Sequence, residues 1–158
     1  MHKFLFAFIV ALFFNFEIYA DSPVYTASVQ GDFDTIYQNV HDSLENNRLF
    51  VVFQPDIGSN LANFTERWGD NYNRNKLDHI KSMVFCNAWY ANEISNKDVR
   101  MTALCPLHIT LIQRNGQTSI NFVRPDSIAI GSDAEPVARE LTTLVIKAID
   151  EGIEAVQK

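Results

Sequence analysis

Residues 107–124 read LHITLIQRNGQTSINFVR, and the Asn115-Gly116 pair inside them decides the architecture. A two-residue connection between strands needs positive φ at both central positions, which Asn and Gly tolerate best. The flanking segments, Leu107 to Gln113 and Thr118 to Arg124, therefore predict an antiparallel hairpin. Upstream, Asp78 to Cys86 alternates with a period of two. That pattern predicts another strand, with Ile80, Ser82, Val84 and Cys86 on one face and His79, Lys81, Met83 and Phe85 on the other.

Working outward, Phe33, Ile36, Val40 and Leu44 recur at helical spacing behind a capping Asp32 or Asp34, and Asn46-Asn47 closes that helix. Val24 to Val29 precedes it as a first strand. Leu49 to Phe53 is an apolar run too short for a helix and ended by Pro55, which predicts a buried strand. Ser59 is expected to cap a short helix through Trp68, stopped at Gly69, and Asn87 another over Trp89 to Ser95. Asp133 precedes a long helix with Pro136 in its first turn and a broad apolar face of Val137, Leu141, Leu144, Val145, Ala148 and Ile149. This order predicts an α+β fold: a single-layer mixed sheet, carrying the C-terminal hairpin at its centre or edge, packed against helices that include the long C-terminal one.

The chain opens like an exported protein. Met1-His2-Lys3 is a short basic start, Phe4 to Phe14 an uninterrupted apolar run, and Ile18-Tyr19-Ala20 ends in a small residue suited to signal peptidase. We therefore expect a signal peptide over 1–20, a single domain over 21–158 and, as destination, a bacterial periplasm. The alternative is an uncleaved anchor, although the apolar run is short for about 30 Å of hydrocarbon. Losing the leader removes one Lys and one Glu, so the net charge stays at −6. Such a balance argues against nucleic acid or an anionic membrane as partner, since both select Lys/Arg clusters. No repeat, Pro-rich tract or Gly/Ser linker divides the rest.

The cysteines, Cys86 and Cys105, carry the reactive chemistry. Three readings stand side by side. In an oxidising compartment the pair can close a disulfide, worth about 3 kcal/mol for a loop of about 20 residues. Both can remain buried apolar thiols. Or Cys86, Cys105 and His108 can form a soft metal or redox site that favours Cu(I), with His79, Met83 and Met101 nearby in sequence. Regular strand geometry opposes the last, because positions three apart face opposite ways.

Other signatures are missing: no Cys-x-x-Cys, no Gly-x-Ser-x-Gly elbow, no phosphate-binding Gly-rich loop and no His-Glu-x-x-His helix. His41, His79 and His108 are scattered and lack a partnered nucleophile. Asp70 to Lys76 is an asparagine-rich loop without the alternating carboxylates of a calcium loop, and reads as solvated surface. Trp68, Tyr72, Trp89 and Tyr90 are candidates for a small-ligand pocket or a dimer surface, against a default of core packing. No catalytic residue and no cofactor is expected.

The succession of a capped helix, Phe50-Val51-Val52-Phe53 with Asp56-Ile57 behind it, Met83-Val84-Phe85-Cys86-Asn87, Leu104-Cys105-Pro106-Leu107 and the strand Ile109 to Ile112 resembles the Domain of Unknown Function 302 family, over residues 28 to 155. The resemblance implies a small α+β domain, often dimeric, with no assigned biochemical role. It carries over no catalytic residue, and Cys105 precedes Pro106 where such proteins commonly place a cysteine after the proline. The expected function is an exported binding or interaction domain forming a homodimer. A metal-binding or thiol redox protein using Cys86 and Cys105 is the alternative.

Overall fold

Five strands and six helices follow one another along residues 22–157, which the structure, a computed structural model, describes; the leader-like Met1 to Ala20 lies outside the described residues. In chain order they are β1 (Val24–Gln30), α1 (Phe33–Asn46), β2 (Phe50–Phe53), α2 (Ile57–Ala62), α3 (Thr65–Trp68), β3 (His79–Cys86), α4 (Ala88–Lys97), β4 (Leu107–Arg114), β5 (Gln117–Val123), α5 (Pro125–Ile128) and α6 (Glu135–Val156). Two 3-10 turns, Gly69–Asn71 and Val99–Leu104, complete the path.

The hairpin forms as predicted. Asn115 and Gly116 take φ of 52° and 75°, and Arg114 pairs directly with Gln117. Around it the sheet runs β1-β5-β4-β3-β2. The α+β class holds, but the sheet is antiparallel at every neighbouring pair rather than mixed. The reason lies in α1, which carries the chain from one edge of the sheet to the other, so β1 and β2 run the same way without ever touching.

Register then divides the sheet into two unlike faces. Met83 lies opposite Ile109, Ile109 opposite Phe122 and Phe122 opposite Tyr25, so one apolar row crosses four strands. Leu111, Ile120 and Ala27 form the next. Met83, Phe85, Ile109, Leu111 and Ile120 are fully buried with Ile36, Val40 and Leu44 of α1 and Val145, Ala148 and Ile149 of α6. Each such side chain contributes about 1.5–3 kcal/mol by leaving water. The helices sit close together because Gly152 has no side chain: a Cβ there would lie 2.8 Å from the Val40 Cα.

Local signals at two places yield to tertiary context. The run expected as a buried strand is an edge strand: Leu49 is buried, whereas Phe50, Val52 and Phe53 are 54%, 64% and 62% exposed. A bulge interrupts its pairing with β3 between Val51 and Phe53. Asp56, not Ser59, caps α2 by accepting from the Ser59 amide at 2.8 Å, and the single helix expected through Trp68 breaks into α2 and α3. The long helix α6 starts with Ala134 at its N-cap, just after Asp133 and with Pro136 in its first turn as expected, and the Glu135 carboxylate accepts from the Gly131 amide at 2.8 Å. Asp32 caps α1 through the amide and hydroxyl of Thr35, also as expected.

Candidate functional site

The alternation that buries Met83 and Phe85 also turns His79 and Lys81 toward the helical layer, at the end of β3 where α1 begins. There they line a cleft of about 790 Å³. Its walls are the first turn of α1 with Asp34, the start of α2 with Asp56 and Ser59, and the 71–78 segment with Tyr72.

Lys81 is the best placed polar group in it. Its Nζ lies 3.5 Å from Asp34 Oδ1, and its side chain is 30% exposed against 82% for Asp34. The same Nζ stands 5.5 Å from the Tyr37 ring centroid and 5.6 Å from that of Phe33. Ring quadrupoles attract a cation at such distances, by about 0.5–1 kcal/mol at an exposed site. His79 stacks on Phe33 with centroids 4.5 Å apart. The amide of Ser59 holds the Asp56 carboxyl below its usual range against the opposing effect of burial, helped by the charges of Lys81 and His79. Burial pushes the Tyr37 hydroxyl up, with Asp56 adding to it, and that hydroxyl donates to Gln54 Oε1 at 2.9 Å. Asn73 bridges the far wall, donating to the Leu77 carbonyl and accepting from its amide, so the loop read as solvated surface is internally braced.

A second groove, of about 660 Å³, lies beside β1 and includes Tyr25 and Arg124. Its polar groups are already engaged: Tyr25 donates to Asp150 and Arg124 to Asp126. The Lys81 cleft is therefore the better candidate.

The four aromatic candidates are not brought together. Tyr72 lines the cleft. Trp68 stacks on Phe64 at 4.9 Å, and Trp89 meets Tyr90 edge-on at 4.7 Å at the start of α4, on the capped turn that follows Cys86.

Cys86 and Cys105 are free thiols, both half-buried, and no disulfide joins them. Burial pushes the Cys105 thiol up, and the neighbouring Cys86 adds to the shift, which is opposite to the activation a nucleophilic thiolate needs. His108 is exposed, opposite Val84. Among the described residues no three His, Cys, Asp or Glu side chains gather as a metal site, so Cys86, Cys105 and His108 do not form the centre considered above. The sequence pattern does not single out Lys81, Asp34 and Asp56 as a site, although it carries one signal: the period of two sets His79 and Lys81 on the same face as Met83 and Phe85.

Comparison with known proteins agrees with this fold. Residues 25–152 match the family described as Domain of unknown function DUF302. The chain belongs to the DUF302 family. A crystal structure of an uncharacterized conserved DUF302 protein from Bacillus stearothermophilus superposes with a TM-score of 0.67, covering 81% of this chain and 96% of that one at 17% sequence identity. At that identity the likeness speaks for the shared fold alone. No curated protein matches the chain significantly. The DUF302 match begins and ends three residues earlier than the sequence resemblance suggested, and so takes in nearly all of β1.

Proposed function

We propose that this DUF302 domain is a small binding domain whose ligand site is the Lys81 cleft. The observation that carries the reading is a half-buried lysine on the floor of an open cleft, flanked by Asp34 and Asp56 and backed by two aromatic rings. At about 790 Å³ the cleft lies within the roughly 300–1,000 Å³ usual for small-molecule sites. Such a site suits a small polar ligand with an acceptor for Lys81 and a donor for Asp34.

The test is chemical-shift perturbation with a panel of small amino acids, dicarboxylates and amines. Binders should move the amides of residues 56–59 and 71–81, and Lys81→Met should abolish the response. Binding that maps elsewhere, or binding that Lys81→Met leaves intact, would overturn the assignment.

Export is part of the proposal and rests on the basic start, apolar run and Ala20 of the leader. N-terminal sequencing of the protein recovered from a periplasmic extract should begin near Asp21.

A further inference from the structure

The strand order leaves two edges, β2 and β1, and they are built differently. β2 has four residues and a bulge between Val51 and Phe53, features that discourage a further strand. β1 runs seven residues, keeps an unbroken register with β5 from Val24 to Gln30 and contains no Pro and no charged residue. We propose that the outer edge of β1 is a docking site for an extended, basic peptide segment of another protein, which joins the sheet as a further strand. The site shares no residue with the Lys81 cleft and does not rest on the reading of that cleft.

The backbone gives the first argument. The Arg124 amide donates to the Pro23 carbonyl at 2.9 Å, and the Gly31 amide to the Gly116 carbonyl at 3.2 Å. Bonded and non-bonded residues alternate in an antiparallel ladder, so Tyr25, Ala27 and Val29 turn their amides and carbonyls to β5, and Val24, Thr26, Ser28 and Gln30 turn theirs outward. At Val24 both groups are taken by Ser22, whose hydroxyl accepts from the amide at 3.2 Å and donates to the carbonyl at 2.8 Å. Past that clip, the amides and carbonyls of Thr26, Ser28 and Gln30 are spaced as an incoming strand requires. Their side chains lie on the bare face of the sheet, away from the helices. Thr26 is occupied there with Asn121 and Ser28 with Ser119, so neither turns back to cover the edge.

The flank gives the second. α6 runs beside β1 in the same direction, with Asp150 accepting from the Tyr25 hydroxyl and Val156 packing at Gly31. Ile146 and Asp150 are one helical turn apart, about 6 Å, close to the roughly 6.7 Å between alternate residues of a strand. Ile146 lines the groove of about 660 Å³ with Val24 and Tyr25. That groove takes an aliphatic side chain of the incoming strand, and exposed Asp150 meets a cation two positions along.

Charge selects the partner. The chain carries a net −6, so a basic segment is attracted to it and a second copy is repelled. The cations nearest this flank are engaged elsewhere: Lys147 with Asn47 and Glu151, and Arg124 with Asp126.

The test is selection from a phage-displayed library of random octapeptides on the purified protein, followed by calorimetry and amide hydrogen exchange with the tightest binder as a synthetic peptide. Selected sequences should carry an aliphatic residue and a Lys or Arg two positions apart, and binding should slow exchange at Thr26, Ser28 and Gln30. Methylating alternate peptide nitrogens should weaken binding at least about tenfold for the set that faces β1, and by no more than about twofold for the other set. Asp150→Asn, which keeps an acceptor for Tyr25, should weaken the basic peptide by about two- to fivefold. A library that yields no binder, binders that slow exchange at other residues, or equal losses from both methylated sets would overturn the proposal. So would an affinity that Asp150→Asn leaves unchanged. Protection of Thr26, Ser28 and Gln30 that rises with protein concentration in the absence of peptide would assign the edge to a second copy instead, and would overturn it as well.

Discussion

The two faces of the sheet are made by the same strands, residue by alternate residue, yet they obey different rules. On the helical side, Met83, Phe85, Ile109, Leu111 and Ile120 are wholly buried and interlock with α1 and α6. On the other side, Ser, Thr and Asn side chains pair across the strands and leave partly open surface. Packing density governs the first face and hydrogen-bond satisfaction the second. Substitutions on the two sides should therefore differ in kind as well as in size.

The largest effect is expected on the covered side. Phe85→Ala should destabilise the fold by about 3–5 kcal/mol, the range for emptying a buried aromatic site. Urea denaturation measures it, and a cost below about 1 kcal/mol would mean that the two faces are not unlike after all. Next comes the seam between α1 and α6. Gly152→Ala would drive a methyl group to 2.8 Å from the Val40 backbone, and overpacking of this kind costs about 1–3 kcal/mol. Calorimetry should show the melting point fall, and a neutral result would show the helices free to slide apart.

Acid should loosen the periphery. Asp98 is held below the ordinary range chiefly by the Arg100 side chain, with Ser132 helping, and Asp56 by the Ser59 amide. At Asp126 burial works the other way, but the bonds from Arg124 and Thr142 outweigh it. A carboxyl whose folded pKa is depressed contributes stability above its unfolded value, near about 4. That contribution disappears as pH falls from there through the folded value. The melting temperature should therefore drop on acidification below about pH 4. Asp98→Asn should flatten that dependence, measured as melting point against pH.

On the bare face the expected cost is small. Thr110→Ala deprives Ser82 of its 2.7 Å partner and should cost about 1 kcal/mol, and the double variant with Ser82→Ala less than the single. A double variant as costly as Phe85→Ala would erase the distinction between the faces. The smallest effect belongs to the cysteines: with both thiols free, added reductant should leave the melting point unchanged. A fall on reduction would mean that Cys86 and Cys105 pair under oxidising conditions.

Much of the fold was legible because its signals are local. The φ requirement of Asn115-Gly116, the Asp32 cap, the 3.6-residue spacing of Phe33 to Leu44 and the alternation of β3 each involve neighbours in sequence, and all four are met. Even the assignment of side chains to faces followed: Met83 and Phe85 are buried, while Ile80, Val84 and Cys86 are only partly so and Ser82, on their face, is buried and hydrogen-bonded to Thr110. The cysteine-based site was not legible in the same way. Convergence of Cys86, Cys105 and His108 depends on where two strand ends fall in space, and they do not supply a metal centre.

What the amino-acid sequence determined by itself is the set of elements, the hairpin, the α+β class and the two-sided character of the strands, because backbone dihedrals and side-chain periodicity are set within a few residues. Only the tertiary structure decided that β2 is an exposed edge, that α1 crosses the whole sheet and makes it antiparallel throughout, and that Asp34, Asp56, Tyr72 and Lys81 share one cleft. Strand order and the meeting of distant side chains are settled by long-range pairing and burial, and an apolar run such as Phe50 to Phe53 reads the same whether another strand covers its edge or nothing does.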